Sequence, residues 1–421
     1  INFKIKEPKP EDKFELITRN TAGSNNLFTN FTSISSSSNK SSYYGYVNYK
    51  KGDGFRPNSE FESINTFQNF NYDLNEKSKI TGEITYMEYL AHQAGGLSDF
   101  MFANDPFQSN RERNWFEIKW FLYNLKYLHE ISENSSFSFS FFGLDAKRNS
   151  LGFRTNRVDQ IDYGEERDLI KGDFKNFGFE SRYLTNHNFF NTKSYLLLGV
   201  KYYNSYSQSV QGPGSSSKDA NFNFDYVNFP NYVNQSEYNY PNNNLAIFGE
   251  NIFYIDEKLS ITPGFRFENI STSLDGYYRK INLDAAGNTI YNERFDEKDT
   301  KKRKFLLLGL GLSYKNQDFE IYTNFSQNFR SVTFADISII NPSYAINPSI
   351  DDEKGFTFDL GLRGNYKKIV SFDSSIFALI YRDRIGFVQK AFRDGNVKSE
   401  RGNVGNAQIT GIESLFDFDV N

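Results

Sequence analysis

Apolar and polar residues alternate with a period of two along the whole chain, the pattern of β-strands with two chemically different faces. The clearest run is Phe356-Thr-Phe-Asp-Leu-Gly-Leu-Arg-Gly-Asn-Tyr366. Phe356, Phe358, Leu360, Leu362 and Tyr366 share one face; Thr357, Asp359, Gly361, Arg363 and Asn365 share the other. Leu306, Leu308, Leu310, Leu312 and Tyr314 form a second such face opposite Gly309, Gly311 and Ser313. A soluble sandwich would bury the apolar face against a second sheet. A membrane barrel turns it to lipid and points Asp359 and Arg363 into a wet lumen.

Alternation predicts about sixteen strands, each long enough to cross a bilayer at a tilt. They fall near residues 14–23, 27–35, 42–55, 66–75, 79–91, 115–131, 136–151, 175–185, 193–207, 244–254, 259–274, 303–314, 319–334, 356–366, 369–388 and 408–420. Ten-residue windows show no clean 3.6-residue periodicity with caps, although a short helical turn fits within 91–113. The links alternate. Short ones lie at 35–40, 75–78, 132–135, 255–258 and 315–318, and long ones at 91–113, 153–173, 208–243, 277–301, 335–354 and 389–406. Short turns at one end and long loops at the other describe an outer-membrane β-barrel. A soluble propeller or β-repeat would show a fixed period of about 40–50 residues, which the chain lacks.

Composition agrees. The 421 residues include 44 Phe and 28 Tyr, no Cys and 10 Pro. Mean hydropathy is low and the longest apolar run, 305–312, is too short for a helical span. A barrel tolerates this because every second residue faces lipid. The net charge of −4 gives no reason to expect nucleic acid as a partner. Absence of Cys removes disulfides, thiolate metal sites and Cys nucleophiles. Residue 1 opens in a strand-like stretch without a signal peptide, and Asp419-Val-Asn421 lacks a terminal aromatic residue. The chain therefore reads as an internal segment of a longer protein.

Catalytic signatures are weak. His92, His129 and His187 lack ligand spacing. His129 and His187 lie beside predicted short turns and read as solvated, while His92, at the start of a long loop, stays open. Asp351-Asp352-Glu353 reads as solvated loop charge. There is no Gly-x-Ser-x-Gly elbow and no phosphate-binding Gly loop. Neither an enzyme nor a resident cofactor or metal is expected.

Several segments resemble TonB-dependent outer-membrane receptors, in particular the ferric dicitrate group. Ile1-Asn-Phe-Lys-Ile-Lys6 resembles the last strand of that family's plug domain. Lys51-Gly-Asp-Gly-Phe-Arg-Pro-Asn58, Ala94-Gly-Gly-Leu-Ser-Asp99, Gln108-Ser-Asn-Arg-Glu-Arg-Asn-Trp-Phe116 and Gly143-Leu-Asp-Ala-Lys-Arg-Asn-Ser-Leu-Gly-Phe-Arg154 resemble its early strands and outer loops. Ser326-Gln-Asn-Phe-Arg-Ser-Val-Thr-Phe-Ala-Asp336 and Asn403-Val-Gly-Asn-Ala-Gln-Ile-Thr-Gly-Ile-Glu413 resemble late-barrel segments of such receptors in general. The resemblance implies an all-β transmembrane barrel of about 22 strands around a plug. Residues 1–12 would be the last plug strand and linker, and 13–421 the first sixteen or so barrel strands, incomplete at the C-terminus. It implies the Gram-negative outer membrane, a surrounding of outer-membrane lipid, and uptake driven by the TonB complex through a plug region that this chain lacks.

The ligand implied is a ferric siderophore, most specifically ferric dicitrate, with iron carried only inside the chelate. A small, oxygen-rich anion suits guanidinium groups, which make charge-assisted and often bidentate bonds to carboxylates. Arg111 and Arg113 end one long loop; Arg148, Arg154 and Arg157 cluster at the start of the next; Arg330 ends a strand. These six are the candidate ligand-binding residues. Arg113 beside Glu112, and Arg157 near Asp159, can equally form loop ion pairs. Loop aromatics such as Phe100, Phe102, Phe107, Tyr226, Phe229, Tyr232, Tyr238 and Tyr240 could build an apolar wall, and 221–244 could fold as a lid. Alternatives are the same fold for another siderophore, haem or an oligosaccharide, an open porin, and a structural or secretion-associated barrel.

Overall fold

The computed structural model describes residues 14–155, 158–189, 192–333, 344–367, 369–392 and 397–419. The plug-like strand expected at residues 1–6, its linker to residue 12, and Arg157 lie outside these.

The described chain is almost wholly strand: β1 (Glu15–Ala22), β2 (Phe28–Ser37), β3 (Ser41–Gly52), β4 (Phe61–Asn75), β5 (Ser78–His92), β6 (Trp115–Ser132), β7 (Ser135–Gly152), β8 (Arg167–Phe189), β9 (Thr192–Gly214), β10 (Asn234–Tyr254), β11 (Leu259–Leu283), β12 (Thr289–Lys315), β13 (Phe319–Arg330), β14 (Tyr344–Ile346), β15 (Glu353–Tyr366), β16 (Val370–Ala391) and β17 (Val397–Phe418). One six-residue helix, α1 (Asp99–Asn104), starts at the Ser98 cap in the loop where a helical turn was expected. Sixteen strands form an antiparallel meander in chain order, and β14 adds a three-residue parallel pairing to β17. All seventeen belong to one sheet.

One face of this sheet exposes an apolar band. Leu306, Leu308, Leu310 and Leu312 on β12, Ile321 and Phe325 on β13, Phe358, Leu360 and Leu362 on β15, and Ile376 and Ile380 on β16 are all exposed. Register sets Phe325 opposite Leu310 and Phe358, and Leu360 opposite Ile376, so the band runs continuously across strands. Among the described residues no second sheet covers it. The other face is polar and internally paired: Arg363 reaches Glu320 at 2.9 Å, and the Tyr322 hydroxyl donates to Asp373 at 2.9 Å. Gly361 leaves the space that the Tyr322 ring fills. This is the apolar-out, polar-in arrangement of a membrane barrel wall.

The expected short turns all occur, at one end of the strands. At the other end the strands run further than alternation suggested. β11 has 25 residues and β12 has 27, whereas a bilayer crossing takes about 9–11. The link expected at 277–301 is a paired hairpin closed by 284–288, where the Asp284 carboxylate accepts from the amides of Ala286 and Asn288. Polar residues occupy both faces there, so alternation gave no signal, while the backbone ladder holds the strands. The link expected at 389–406 shrinks for the same reason, since β16 and β17 pair as far as Ala391 and Val397.

Candidate functional site

The loops joining β5 to β6, β7 to β8 and β9 to β10 are tied together by three guanidinium groups. Arg113, 4% exposed, grips the Asp162 carboxylate with Nε and Nη2, and its Nη1 donates to the carbonyls of Glu165 at 2.7 Å and Ser216 at 2.9 Å. Arg111, 6% exposed, donates to the carbonyls of Asn110, Gln160 and Val158 and to Thr155 Oγ1, with its face 5.2 Å from the Phe153 ring. Arg167 is fully buried. Its donors go to the Ser215, Arg113 and Asp219 carbonyls and to the Ser215 and Ser217 hydroxyls. Burial pushes the Asp162 carboxyl up, but the bonds from Arg113 and Gly164 and the charges of Arg113 and Arg111 outweigh it and hold it below the usual carboxylate range. Gly95 makes room for this knot: at φ +71° to +87°, the range spanned by Gly54, Gly95 and Gly164, an L side chain is strained, and a Cβ on Gly95 would also meet Asn110 and Arg111.

Beneath the knot, the polar face of β7 to β11 lines a cavity of about 670 Å³. Register brings Ser205, Asn242 and Thr272 into one row and Tyr203, Asn244 and Ile270 into the next, with Ser207 opposite Tyr240. Thr272 Oγ1 donates to Asn242 Oδ1 at 3.2 Å, while Asn244 Oδ1 is buried without a partner among the described residues. Arg148 enters the same cavity, exposed, its guanidinium 5.8 Å from the Phe174 ring and unmatched by a carboxylate among the described residues. The far wall is Ser331, Val332 and Thr333. Arg303 holds it there, clasping Asp352 at 2.8 and 2.9 Å and donating to the Val332 carbonyl at 3.0 Å.

The six predicted arginines therefore separate. Arg111 and Arg113 converge, but their donors are spent inside the loops. Arg148 faces the cavity. Arg154 is half exposed and reaches Asp168 at 3.3 Å; Arg330, also half exposed, reaches Glu353 at 2.8 Å. Arg157 lies outside the described residues. Two further expectations are corrected. Asp352 and Glu353 are not solvated: they bind Arg303 and Arg330, because the chain turns inward after β13. The segment at 221–244 is no separate lid, since β10 begins at Asn234 and Tyr232 is buried with its hydroxyl 2.8 Å from Asp168. Burial raises the Tyr232 phenol well above its ordinary value, so it stays a donor. Of the histidines, His92 is buried, stacked on Trp115 and bonded to Glu60 and the Glu112 carbonyl. Among the described residues no three His, Asp or Glu side chains converge as a metal site.

Sequence reasoning missed Arg167 and Arg303. Arg167 sits in the charged run Glu165-Glu166-Arg167-Asp168, ahead of the strand start expected at 175. The alternating hydroxyls Ser205, Ser207 and Ser209 were a readable signal for the cavity wall.

An exposed apolar band around a curled sheet with a polar interior defines a transmembrane β-barrel wall. The chain belongs to the TonB-dependent receptor-like β-barrel family, whose model matches residues 11–420. Members of this family are transporters of the Gram-negative outer membrane, not enzymes. The structure is similar to the ferric citrate transporter FecA in the unliganded form (16% identity, 97% of this chain and 55% of that one, TM-score 0.71). It is similar also to the ferric yersiniabactin uptake receptor FyuA from Yersinia pestis (12%, 98% and 60%, 0.71) and to the siderophore receptor PiuA from Acinetobacter baumannii (12%, 99% and 62%, 0.72). At these identities the likeness shows the fold, and the chain spans 55% to 62% of those chains. No curated protein matches it.

Proposed function

We propose that this chain is most of the barrel of an outer-membrane, TonB-dependent receptor that imports a small ferric chelate. The observation that carries the reading is the polar cavity of about 670 Å³ on the inner face, lined by hydroxyl and amide side chains and the exposed Arg148. The neighbours described as ferric citrate, ferric yersiniabactin and siderophore proteins support a ferric chelate as cargo. In this reading Arg148 meets a carboxylate or other anionic oxygen of the chelate, and Tyr203, Ser205, Asn242, Asn244 and Thr272 hydrogen-bond its remaining oxygens. Arg154 and Arg330 contribute only by exchanging Asp168 and Glu353 for ligand. Ligand contacts favour one arrangement of loops and plug, and TonB acting on the plug shifts that balance.

Ferric dicitrate is the particular chelate we propose, on the resemblance of 108–116 and 143–154 and on the exposed guanidinium of Arg148. A second reading, a neutral oligosaccharide, is favoured by the hydroxyl and amide rows beside a single unmatched Arg. Calorimetry on the complete receptor separates them. Ferric dicitrate is expected to bind, and Arg148→Ala to weaken it by roughly ten- to a hundredfold, the worth of one charge-assisted hydrogen bond. Binding of oligosaccharide alone would replace the chelate reading with the second one.

A further inference from the structure

A buried carboxylate stands at the upper edge of the cavity. Asp168 is the second residue of β8 and shares a strand face with Ile170 and Gly172, which line the cavity. Gln211 of β9 shares a face with the cavity residues Ser207 and Ser209 in the same way. The buried Asp168 is served by three donors. Its Oδ1 accepts from the Tyr232 hydroxyl at 2.8 Å and from Gln211 Nε2 at 2.9 Å. Its Oδ2 accepts from Gln211 Nε2 at 3.1 Å and from Arg154 Nη1 at 3.3 Å.

Arg154 is the one cation of the three and the one held loosely. Its side chain is 48% exposed against 10% for Asp168, and among the described residues the 3.3 Å contact is the one hydrogen bond its guanidinium makes. A guanidinium has five N–H donors, so most of those on Arg154 are left for an anion at the cavity edge. Burial pushes the Asp168 carboxyl above its ordinary value, further than the bonds from Gln211 and Tyr232 and the Arg154 charge pull it down. Among the described residues no other cation makes up for this. Arg167, its chain neighbour, spends its donors on Ser215, Ser217, Asp219 and Arg113. Tyr232 is a neutral phenol, and Glu166 beyond it adds negative charge. Without Arg154, Asp168 is a buried carboxylate with neutral donors alone, an arrangement that favours the protonated acid.

We propose that Asp168 competes with anionic cargo for Arg154, and takes up one proton from water when the cargo wins. This role presupposes the anionic cargo proposed for the cavity. Before binding, the Arg154 guanidinium faces the Asp168 carboxylate. Afterwards it faces an anionic oxygen of the cargo, and Asp168 is a carboxylic acid whose carbonyl oxygen still accepts from Tyr232 and Gln211. One hydrogen bond is exchanged, one proton enters from solvent, and no covalent bond of the cargo changes. Anion affinity therefore rises as pH falls through the Asp168 titration, because acid removes the competitor. A neutral sugar leaves the pair intact and binds without a proton.

Calorimetry of the complete receptor in buffers of different ionisation enthalpy counts the protons. Ferric dicitrate is the first probe. Sulfate, which carries no iron and does not titrate near neutral pH, is the second. The wild type is expected to take up about one more proton per anion bound than Asp168→Asn. Asp168→Asn is expected to bind both anions roughly tenfold tighter near neutral pH, the worth of one pKa unit, and its sulfate affinity should no longer respond to pH. Arg154→Gln is expected to bind both roughly tenfold more weakly and to lose the extra proton. If Asp168 only positioned Arg154, Asp168→Asn would bind more weakly instead, and that result overturns the proposal. So would equal proton uptake by wild type and Asp168→Asn, sulfate binding to wild type that does not strengthen on acidification, or no sulfate binding by either protein. The acidification series uses wild type alone and decides the matter if Asp168→Asn does not fold. Sulfate following this order while ferric dicitrate binds neither protein would overturn the chelate reading and leave the competition standing.

Discussion

Arg113 and Arg148 are the same residue type a strand apart, yet one is a loop fastener and the other a free cation. The difference lies in what consumes their donors. Arg113 and Asp162 form a shielded pair, with side chains 5% and 13% exposed. Removing one partner of a buried pair typically costs about 3–5 kcal/mol, because the other charge is left uncompensated. Asp162→Asn in the complete receptor is therefore expected to open the loops locally, raising amide exchange in 158–164 while the barrel strands stay protected. The pH dependence follows from the depressed Asp162 carboxyl. Its contribution is complete above the unfolded value of about 4 and is lost as pH falls through the lower folded value. Protection in 158–164, taken relative to the intrinsic exchange rate at each pH, should fall as pH drops below about 4 in the wild type and change little in Asp162→Asn. Gly95→Ala should loosen the same knot without touching a charge, since it adds a side chain at positive φ against Arg111. Sequence identified which arginines sit at loop ends. It could not identify their partners, because Arg113 meets Ser216 from 103 positions away.

At the level of strands, the membrane-spanning halves were legible and the outer halves were not. Leu306 to Leu312 announce a strand because lipid demands an apolar side chain at every second position. Tyr277 to Leu283 and Thr289 to Lys298 pair equally well, but water on both faces demands no pattern, so they resembled a loop. The two halves should respond oppositely to charge. Leu308→Arg, in the middle of the exposed band, is expected to destabilise the barrel by about 2–4 kcal/mol. Thr289→Arg, exposed on the outer hairpin opposite Leu283, should cost less than about 0.5 kcal/mol, as surface changes usually do. Denaturant titration of the complete receptor refolded into lipid vesicles measures both. Equal costs would mean that the Leu306–Leu312 face does not meet lipid.

For the whole molecule, the decisive feature is how the sheet ends. Among the described residues, β1 pairs through its eight residues with β2 alone, and β17 pairs with β16 on one side and with β14 over only Tyr344–Ile346 on the other. Among the described residues, most of the 22 residues of β17 therefore have no ladder partner on one edge. An exposed edge of this length is a template for another strand, and within a bilayer every unpaired backbone group carries a cost of several kcal/mol. Natural barrels remove both problems by closing. The sixteen or so strands expected from sequence match the number in the antiparallel meander seen here. The physical consequence can be tested on this segment directly. Residues 1–421 produced alone and folded in detergent should associate edge to edge, appearing by light scattering as dimers or larger species rather than monomers. Placing Pro at alternate positions of β17 whose N–H groups point to the open edge, which removes the donors offered to a second copy, should restore the monomer. A segment that is monomeric without such changes would show that β1 and β17 find partners within the chain itself.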